Sequence, residues 1–142
     1  MNAICITCGT QFGDSASQPD FCPICTDDRQ YVGLEGQQWT TLDDLRRDYK
    51  TKIQSEEPGL TSFWMEPKFG IGQRAFLIET PSGNVLWDCI SLLEDAAVQR
   101  MRLLGGVAAI AISIRTTTRA WWSGAVTLEI SRSIFMQTIR NG

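Results

Sequence analysis

Two closely spaced pairs of cysteines constrain the fold of this chain more than any other feature. Cys5 and Cys8 form the first C-x2-C pair, and Cys22 and Cys25 form the second, with 13 residues between the pairs. Two residues between cysteines let the chain turn tightly enough for both sulfurs to lie about 2.3 Å from one metal ion. The pattern therefore predicts a small metal ribbon, residues 1–35, in which these four thiolates hold one structural ion.

The residues around the cysteines favour a fold that depends on metal. Gly9 follows the first pair, where left-handed backbone is often needed, and Pro23 stiffens the second turn. The first 30 residues contain so little apolar material that we expect no stable fold without an ion. Zinc is the expected ion, and iron held by the same four thiolates is the alternative. Such sites are closed, so the ribbon is expected to be a scaffold or docking surface rather than a catalyst.

The cysteines and the apolar segments also bear on the compartment. Two close pairs indicate a metal site in a reducing compartment rather than two disulfides, and Cys89, which has no second cysteine nearby, is expected to be a buried, inert thiol. The N-terminus lacks the pattern of a signal peptide, and the longest apolar run, residues 105–114, is shorter than the roughly 20 residues of a membrane helix. We therefore expect a cytoplasmic protein with no membrane partner.

The charge of the chain argues against nucleic acid as its main partner. The formal net charge is −3, whereas nucleic-acid binding is usually driven by a basic surface. The ribbon itself has a single basic residue, Arg29, against several acids, among them Asp14, Asp20, Asp27 and Asp28.

The first half of the body, which begins at residue 36, has the pattern of a helix followed by a strand. Thr41 is suited to cap a helix that has acidic residues in its first turn and runs to about residue 50 or 53. Residues 56–59 break this pattern, and residues 60–65 are typical of a strand.

The second half of the body predicts a hairpin, a helix and a further strand. Residues 74–79 and 85–90 are apolar runs on either side of a turn. Apolar residues then recur at helical spacing over residues 92–104, and Gly105 and Gly106 end the helix. The strand over residues 107–112 is wholly apolar, as is typical of strands in the middle of a sheet. Together these elements predict a mixed α/β domain of the α+β type.

Three segments of the body carry a resemblance to a known family: residues 72–78, 83–89 and 105–113. Together with the cysteine pairs, they make the chain resemble, over about residues 1–113, the metallo-β-lactamase-fold hydrolases that have an N-terminal zinc ribbon. The resemblance implies that residues 36–113 are the first, incomplete part of an αββα sandwich. It also implies a parent activity in which metal-bound hydroxide attacks an ester, thioester, amide or phosphodiester, with ions held by histidine and aspartate.

The chain contains no histidine, and this separates it from the family's activity. In the family, the strand that matches residues 107–113 is followed by a metal motif that begins His-x-His. Residues 114–119 here are isoleucine, arginine, three threonines and arginine, and arginine offers no lone pair while threonine is a poor zinc ligand. Asp88 ends a strand that faces this region in the resemblance, but it has no partner ligands. We therefore expect no catalytic residue, no cofactor-binding residue and no catalytic metal in this chain.

The tail, residues 114–142, differs in character from the rest and suggests a shifted reading frame. It contains four arginines and a single acid, Glu129. Residues 112–118 can be encoded as att-tcc-atc-cgc-act-act-aca, and one additional c after tcc makes the same bases encode Ile-Ser-His-Pro-His-Tyr-Tyr. That peptide is the start of the family's metal motif. The tail is accordingly interpreted as a non-family, frameshifted segment, with a genuine C-terminal extension as the alternative.

The sequence thus predicts the N-terminal portion of a metallo-β-lactamase-fold hydrolase that is inactive as it stands. A small-molecule substrate is expected only for the intact family member, and exposed apolar surface in the incomplete domain is expected to favour self-association. Two alternatives remain open. One is a zinc-ribbon adaptor that binds protein or nucleic acid, and the other is a regulatory pseudoenzyme in which the tail is a selected structure.

Overall fold

A computed structural model describes residues 2–13, 17–28 and 31–113, so the tail and its frameshift hypothesis lie outside the described residues. Within these ranges the chain forms two helices and two sheets, a mixed α+β fold. In chain order the elements are β1 (Ile4–Cys5), β2 (Trp39–Thr40), α1 (Leu42–Asp48), β3 (Lys50–Glu57), β4 (Leu60–Glu66), β5 (Arg74–Ile78), β6 (Val85–Trp87), α2 (Asp95–Leu103) and β7 (Ala109–Ala111). Neither of the two helices found here has the length and apolar character needed to cross a bilayer.

The small, two-stranded sheet pairs the start of the ribbon with residues that follow its last cysteine. Strand β1 pairs antiparallel with β2, and Cys5 lies opposite Trp39. This pairing crosses the boundary that the sequence placed at residue 35. In addition, Ile4 is completely buried in the core of the body, where it packs in the same cluster as Leu45 and Phe63. The ribbon is therefore joined to the body through a shared core.

The large sheet has the strand order β3-β4-β5-β6-β7. The first four strands are antiparallel neighbours, which confirms the predicted hairpin of β5 and β6, whereas β7 runs parallel to β6 after the crossover through α2. The strand predicted over residues 107–112 exists, but only residues 109–111 pair, and they are half-buried. Its predicted place in the middle of the sheet is wrong for the described chain, where β7 is the outermost strand.

Both predicted helices exist, but each has one boundary that differs from the prediction. Helix α1 begins after Thr41 as predicted, and it ends at Asp48, because the following residues pair with β4 as strand β3. Helix α2 begins at Asp95 rather than Leu92. The Leu92 side chain is buried and its carbonyl accepts a 2.9 Å hydrogen bond from the Thr51 hydroxyl, which holds this segment extended against β3.

The two faces of the large sheet differ in their surroundings. Side chains alternate between the faces, and one face packs with both helices and Ile4 into the core cluster. The opposite face, called here the second face, carries apolar side chains from four adjacent strands, with Ser62 and Arg74 among them; the Arg74 guanidinium lies over the rings of Trp64 and Phe76. The apolar side chains are Leu60, Trp64, Phe76, Ile78, Val85, Trp87, Ala109 and Ala111, placed by the strand registers. Trp87 remains 46% exposed, so the second face is partly open to solvent.

Candidate metal centre

The structure brings the four sequence-predicted cysteines into one cluster. The Sγ atoms of Cys5, Cys8, Cys22 and Cys25 all lie within 4.8 Å of one another, and all four residues are buried. Gly9, at the end of the first pair, has the left-handed backbone that the sequence predicted, with φ of 77°. The second pair forms a tight turn in which Cys25 N donates a 3.0 Å hydrogen bond to Cys22 O.

The spacing of the sulfurs fits a tetrahedral ion. Four sulfurs placed about 2.3 Å from a central ion at tetrahedral angles are separated by about 3.8 Å. The Sγ atoms of Cys5 and Cys25 are 3.7 Å apart, and those of Cys8 and Cys22 are also 3.7 Å apart. All five cysteines lie in the described ranges and are thiols rather than disulfides. The cluster can therefore hold one structural metal ion, and its set of four sulfurs suits zinc or iron.

The electrostatics of the four-cysteine cluster favour the binding of a cation. The hydrogen bond with Cys8 lowers the pKa of the Cys5 thiol to about 4, so the first thiolate forms readily. That hydrogen bond, with burial, raises the pKa of Cys8 well above its usual range. Burial likewise raises the pKa of Cys25 to about 12. Further thiolates are unfavourable next to the first, and a divalent ion reverses this because it stabilises each sulfur charge.

Two side chains outside the cysteine pairs contact the sulfurs. The carboxamide of Gln37 donates a hydrogen bond from Nε2 to Cys5 Sγ at 3.1 Å, and Thr10 Oγ1 lies 3.2 Å from Cys8 Sγ. When Cys8 is a thiolate, the Thr10 hydroxyl is the donor. Both contacts are to the first cysteine pair. No sequence motif indicates either contact; that of Thr10 is local, whereas that of Gln37 depends on how the chain returns to the cluster.

A buried polar network fixes the first cysteine pair to the body. Gln73 donates from Nε2 to Cys8 O at 3.3 Å and accepts at Oε1 from Ser91 N at 2.8 Å. The Ser91 hydroxyl lies 2.7 Å from Gly9 O and 2.8 Å from Gln73 Oε1, so its hydrogen is shared between these acceptors. Gln73 and Ser91 are both buried. The ribbon is thus positioned against the start of β5 and the segment after β6.

Asp88 and Cys89 occupy the end of β6. The Asp88 backbone is left-handed, with φ of 58°, and its carboxylate accepts hydrogen bonds from Ser113 N at 2.7 Å and Ser113 Oγ at 2.6 Å. Asp88 therefore fixes the chain where it leaves β7. Cys89 is buried, as the sequence predicted, and lies in the core of the body rather than in the metal cluster.

Comparison with known proteins finds a relative in Bacillus subtilis (strain 168). The chain is 44% identical over 112 residues to the "Uncharacterized protein YmaE" of that organism, and the aligned stretch is 78% of this chain and 41% of the relative. The chain thus spans about two fifths of the length of this relative. No family model matches the chain, and no solved structure matches it.

Proposed function

We propose that the four cysteines bind one structural zinc ion, which orders the ribbon against the body. The observation that carries this role is the convergence of four buried sulfurs within 4.8 Å of one another, and an ion held by four thiolates has no open coordination position for a substrate. When bound, the ion supplies charge stabilisation and cross-links two loops. Gln73 and Ser91 then hold the first cysteine pair against the body through their hydrogen bonds to the carbonyl groups of Cys8 and Gly9. Elemental analysis of the purified protein tests this, with one zinc per chain expected and no bound metal contradicting it.

For the body, we propose the N-terminal part of a metallo-β-lactamase-fold hydrolase. The second face supports this proposal, since an apolar sheet face requires a second layer and a two-sheet sandwich provides one. Asp88 supports it as well, because it holds Ser113 next to the position at which the family's ligand motif would begin.

Because the chain has no histidine, we propose that it has no metal-dependent hydrolase activity as it stands. The test compares this protein with a second one, made from a gene that has one base restored after the Ser113 codon and includes the downstream frame. Activity on esters, thioesters, lactones and phosphodiesters is expected for the restored protein alone. Turnover by the 142-residue chain that is lost on chelation would contradict the proposal, and an inactive restored protein would contradict the frameshift hypothesis.

A second candidate function is an adaptor that binds a protein through the ribbon. Three large apolar side chains in or near the ribbon are exposed: Phe21 at 62%, Tyr31 at 77% and Leu34 at 99%. Exposed aromatic and aliphatic side chains are typical anchors of protein interfaces. If the ribbon is an adaptor, Phe21→Ser and Leu34→Ser should abolish a cellular interaction without changing zinc content. Loss of zinc together with the interaction would instead indicate a structural role for these side chains.

A further inference from the structure

Gln37 uses both hydrogens of its carboxamide at the metal cluster. Its Nε2 lies 3.1 Å from Cys5 Sγ and 3.3 Å from Gln38 O, and the side chain is half-buried. The carboxamide is neutral, so it can donate to a thiolate without changing the net charge of the centre. Four thiolates and one divalent ion leave a formal charge of −2, and N–H donors that point at sulfur reduce the electrostatic penalty of burying that charge.

The position of Gln37 in the chain links the cluster to the body. The residues that follow it close the small sheet: Ile6 N donates to Gln38 O at 3.1 Å, and Cys5 lies opposite Trp39. The same segment continues into Thr41, which caps α1 through a 3.2 Å hydrogen bond from Asp44 N. One short stretch of chain therefore contacts a metal-binding sulfur at its beginning and starts the first helix of the body at its end.

We propose that Gln37 is a positioning residue of the metal centre, which donates an N–H to the Cys5 thiolate and thereby couples metal binding to closure of the small sheet and the start of α1. The inference rests on the proposed structural metal site. The Thr10 hydroxyl lies 3.2 Å from Cys8 Sγ and becomes its donor when Cys8 is a thiolate, so in the metal-bound centre both sulfurs of the first pair have a side-chain donor. For Cys22 and Cys25, the residues that the structure describes supply no such hydroxyl or amide donor.

Three variants separate hydrogen bonding from packing. Gln37→Met keeps the length of the side chain and removes the donor, whereas Gln37→Glu keeps the shape and places a carboxylate against the thiolate. Gln38→Met is the matched control, because the neighbouring side chain is exposed and only its backbone carbonyl contacts the cluster region. Affinity for Zn²⁺ is measured by competition with a chromophoric chelator. We expect about a 10- to 100-fold loss for Gln37→Met, a larger loss for Gln37→Glu, and affinity within about threefold of wild type for Gln38→Met.

A spectroscopic readout distinguishes a donor from a residue that merely fills space. In the Co²⁺-substituted protein, loss of an N–H donor makes the thiolate more electron-rich, so the sulfur-to-cobalt charge-transfer band of Gln37→Met is expected at longer wavelength. Only chains that hold cobalt contribute to this band, so partial misfolding lowers its intensity and leaves its position readable. An unshifted band, or equal affinities for the Met and Glu variants, would overturn the role of Gln37. Failure of the wild-type protein to bind either metal would overturn the metal site itself.

Discussion

The hydroxyl of Ser91 lies 2.7 Å from the carbonyl oxygen of Gly9, although the two residues are 82 positions apart in the chain. Both groups are buried, and the contact joins the first cysteine pair to the segment between β6 and α2. A buried carbonyl oxygen without a hydrogen-bond donor costs about 1–3 kcal/mol, so this contact favours one docked arrangement of ribbon and body. Order in the metal centre and order in the body should therefore change together.

Substitution of Gly9 by alanine should test this docking. A Cβ atom on Gly9 would lie 2.5 Å from Ser91 Oγ and even closer to Gln73 Nε2. Gly36 has the same left-handed backbone, with φ of 76°, and no atom within 4 Å of an added Cβ, which makes Gly36→Ala the matched control. We expect Gly36→Ala to lower the free energy of unfolding by about 1–2 kcal/mol through backbone strain alone. Gly9→Ala should lower it by about 1–3 kcal/mol more, because the buried contacts must separate.

Denaturant unfolding of the metal-loaded variants measures both free energies. Equal losses for the two alanine variants would mean that the contacts of Gly9 with Gln73 and Ser91 contribute nothing to the fold.

Removal of one metal ligand should weaken the body as well as the ribbon. Cys22→Ser leaves three thiolates in a buried cluster, and we expect it to lose the metal and the order of the ribbon. Because Ile4 packs in the core of the body, the midpoint of thermal unfolding should also fall. Cys89→Ala is the control, since Cys89 is buried outside the cluster and its loss should leave metal content unchanged. Metal content and thermal unfolding are measured with and without a chelator. If chelation leaves the midpoint of thermal unfolding unchanged, the metal centre and the body are not coupled.

Acid should destabilise the body in part through Glu56. The hydroxyl of Ser62 and the charge of Arg74 hold the pKa of Glu56 below its usual value of 4.5. A carboxyl whose pKa is lower in the folded state contributes stability above pH 4.5, and this contribution is lost as the pH falls through the folded pKa. We therefore expect Glu56→Gln to be less stable than wild type at pH 7 and to lose less stability in acid.

The control for this comparison is Glu79→Gln, because Glu79 is an exposed carboxylate at the end of β5. Its unfolding free energy, measured from pH 7 to pH 3, should run parallel to that of wild type. Parallel curves for Glu56→Gln and wild type would show that the contacts of Glu56 are without effect on stability.

The second face should promote self-association. Trp87 is 46% exposed among other apolar side chains there, whereas Leu103 is 81% exposed on α2. If the second face is the contact surface, Trp87→Glu should reduce association and Leu103→Glu should not, because a charge is costly only where it becomes buried. Sedimentation velocity over a range of concentrations measures this. A monodisperse wild-type monomer with a cooperative thermal transition would indicate that the core is complete.

Features of the fold and of the metal site could be predicted from the sequence where the residues that form them lie close together in the chain. The cysteine cluster, the cap at Thr41 and the β5–β6 hairpin are set by residues close in sequence, and the structure confirms that these features form. Strand β3 was missed because its side chains are mostly exposed, with Ile53 as its one apolar residue, so it has no hydrophobic pattern. The one signal for it is the turn at Pro58 and Gly59, which leads into β4 and which the sequence pattern alone indicates only as a break.

The contacts of the metal centre with the rest of the chain could not be predicted in the same way. Gln73 and Ser91 reach the first cysteine pair from 65 and 82 residues away, and glutamine and serine are common on any surface. Gln37 lies 32 residues from Cys5 and belongs to no motif. Among the described strands, the position of β7 next to β6 at the edge of the sheet depends on the parallel crossover through α2, which a short apolar run does not specify.

The closure of the ribbon by β2 has a consequence for the order of events during synthesis. All four sulfurs, Gln37 and both strands of the small sheet lie within residues 4–40, so if the cysteines bind an ion as proposed, they can do so once that length has left the ribosome. Residues 73 and 91, which fix the first cysteine pair to the body, emerge later, at about 5–20 residues per second. The supply of metal during the first seconds of translation would then determine whether the large sheet, as it forms, can dock against an ordered ribbon.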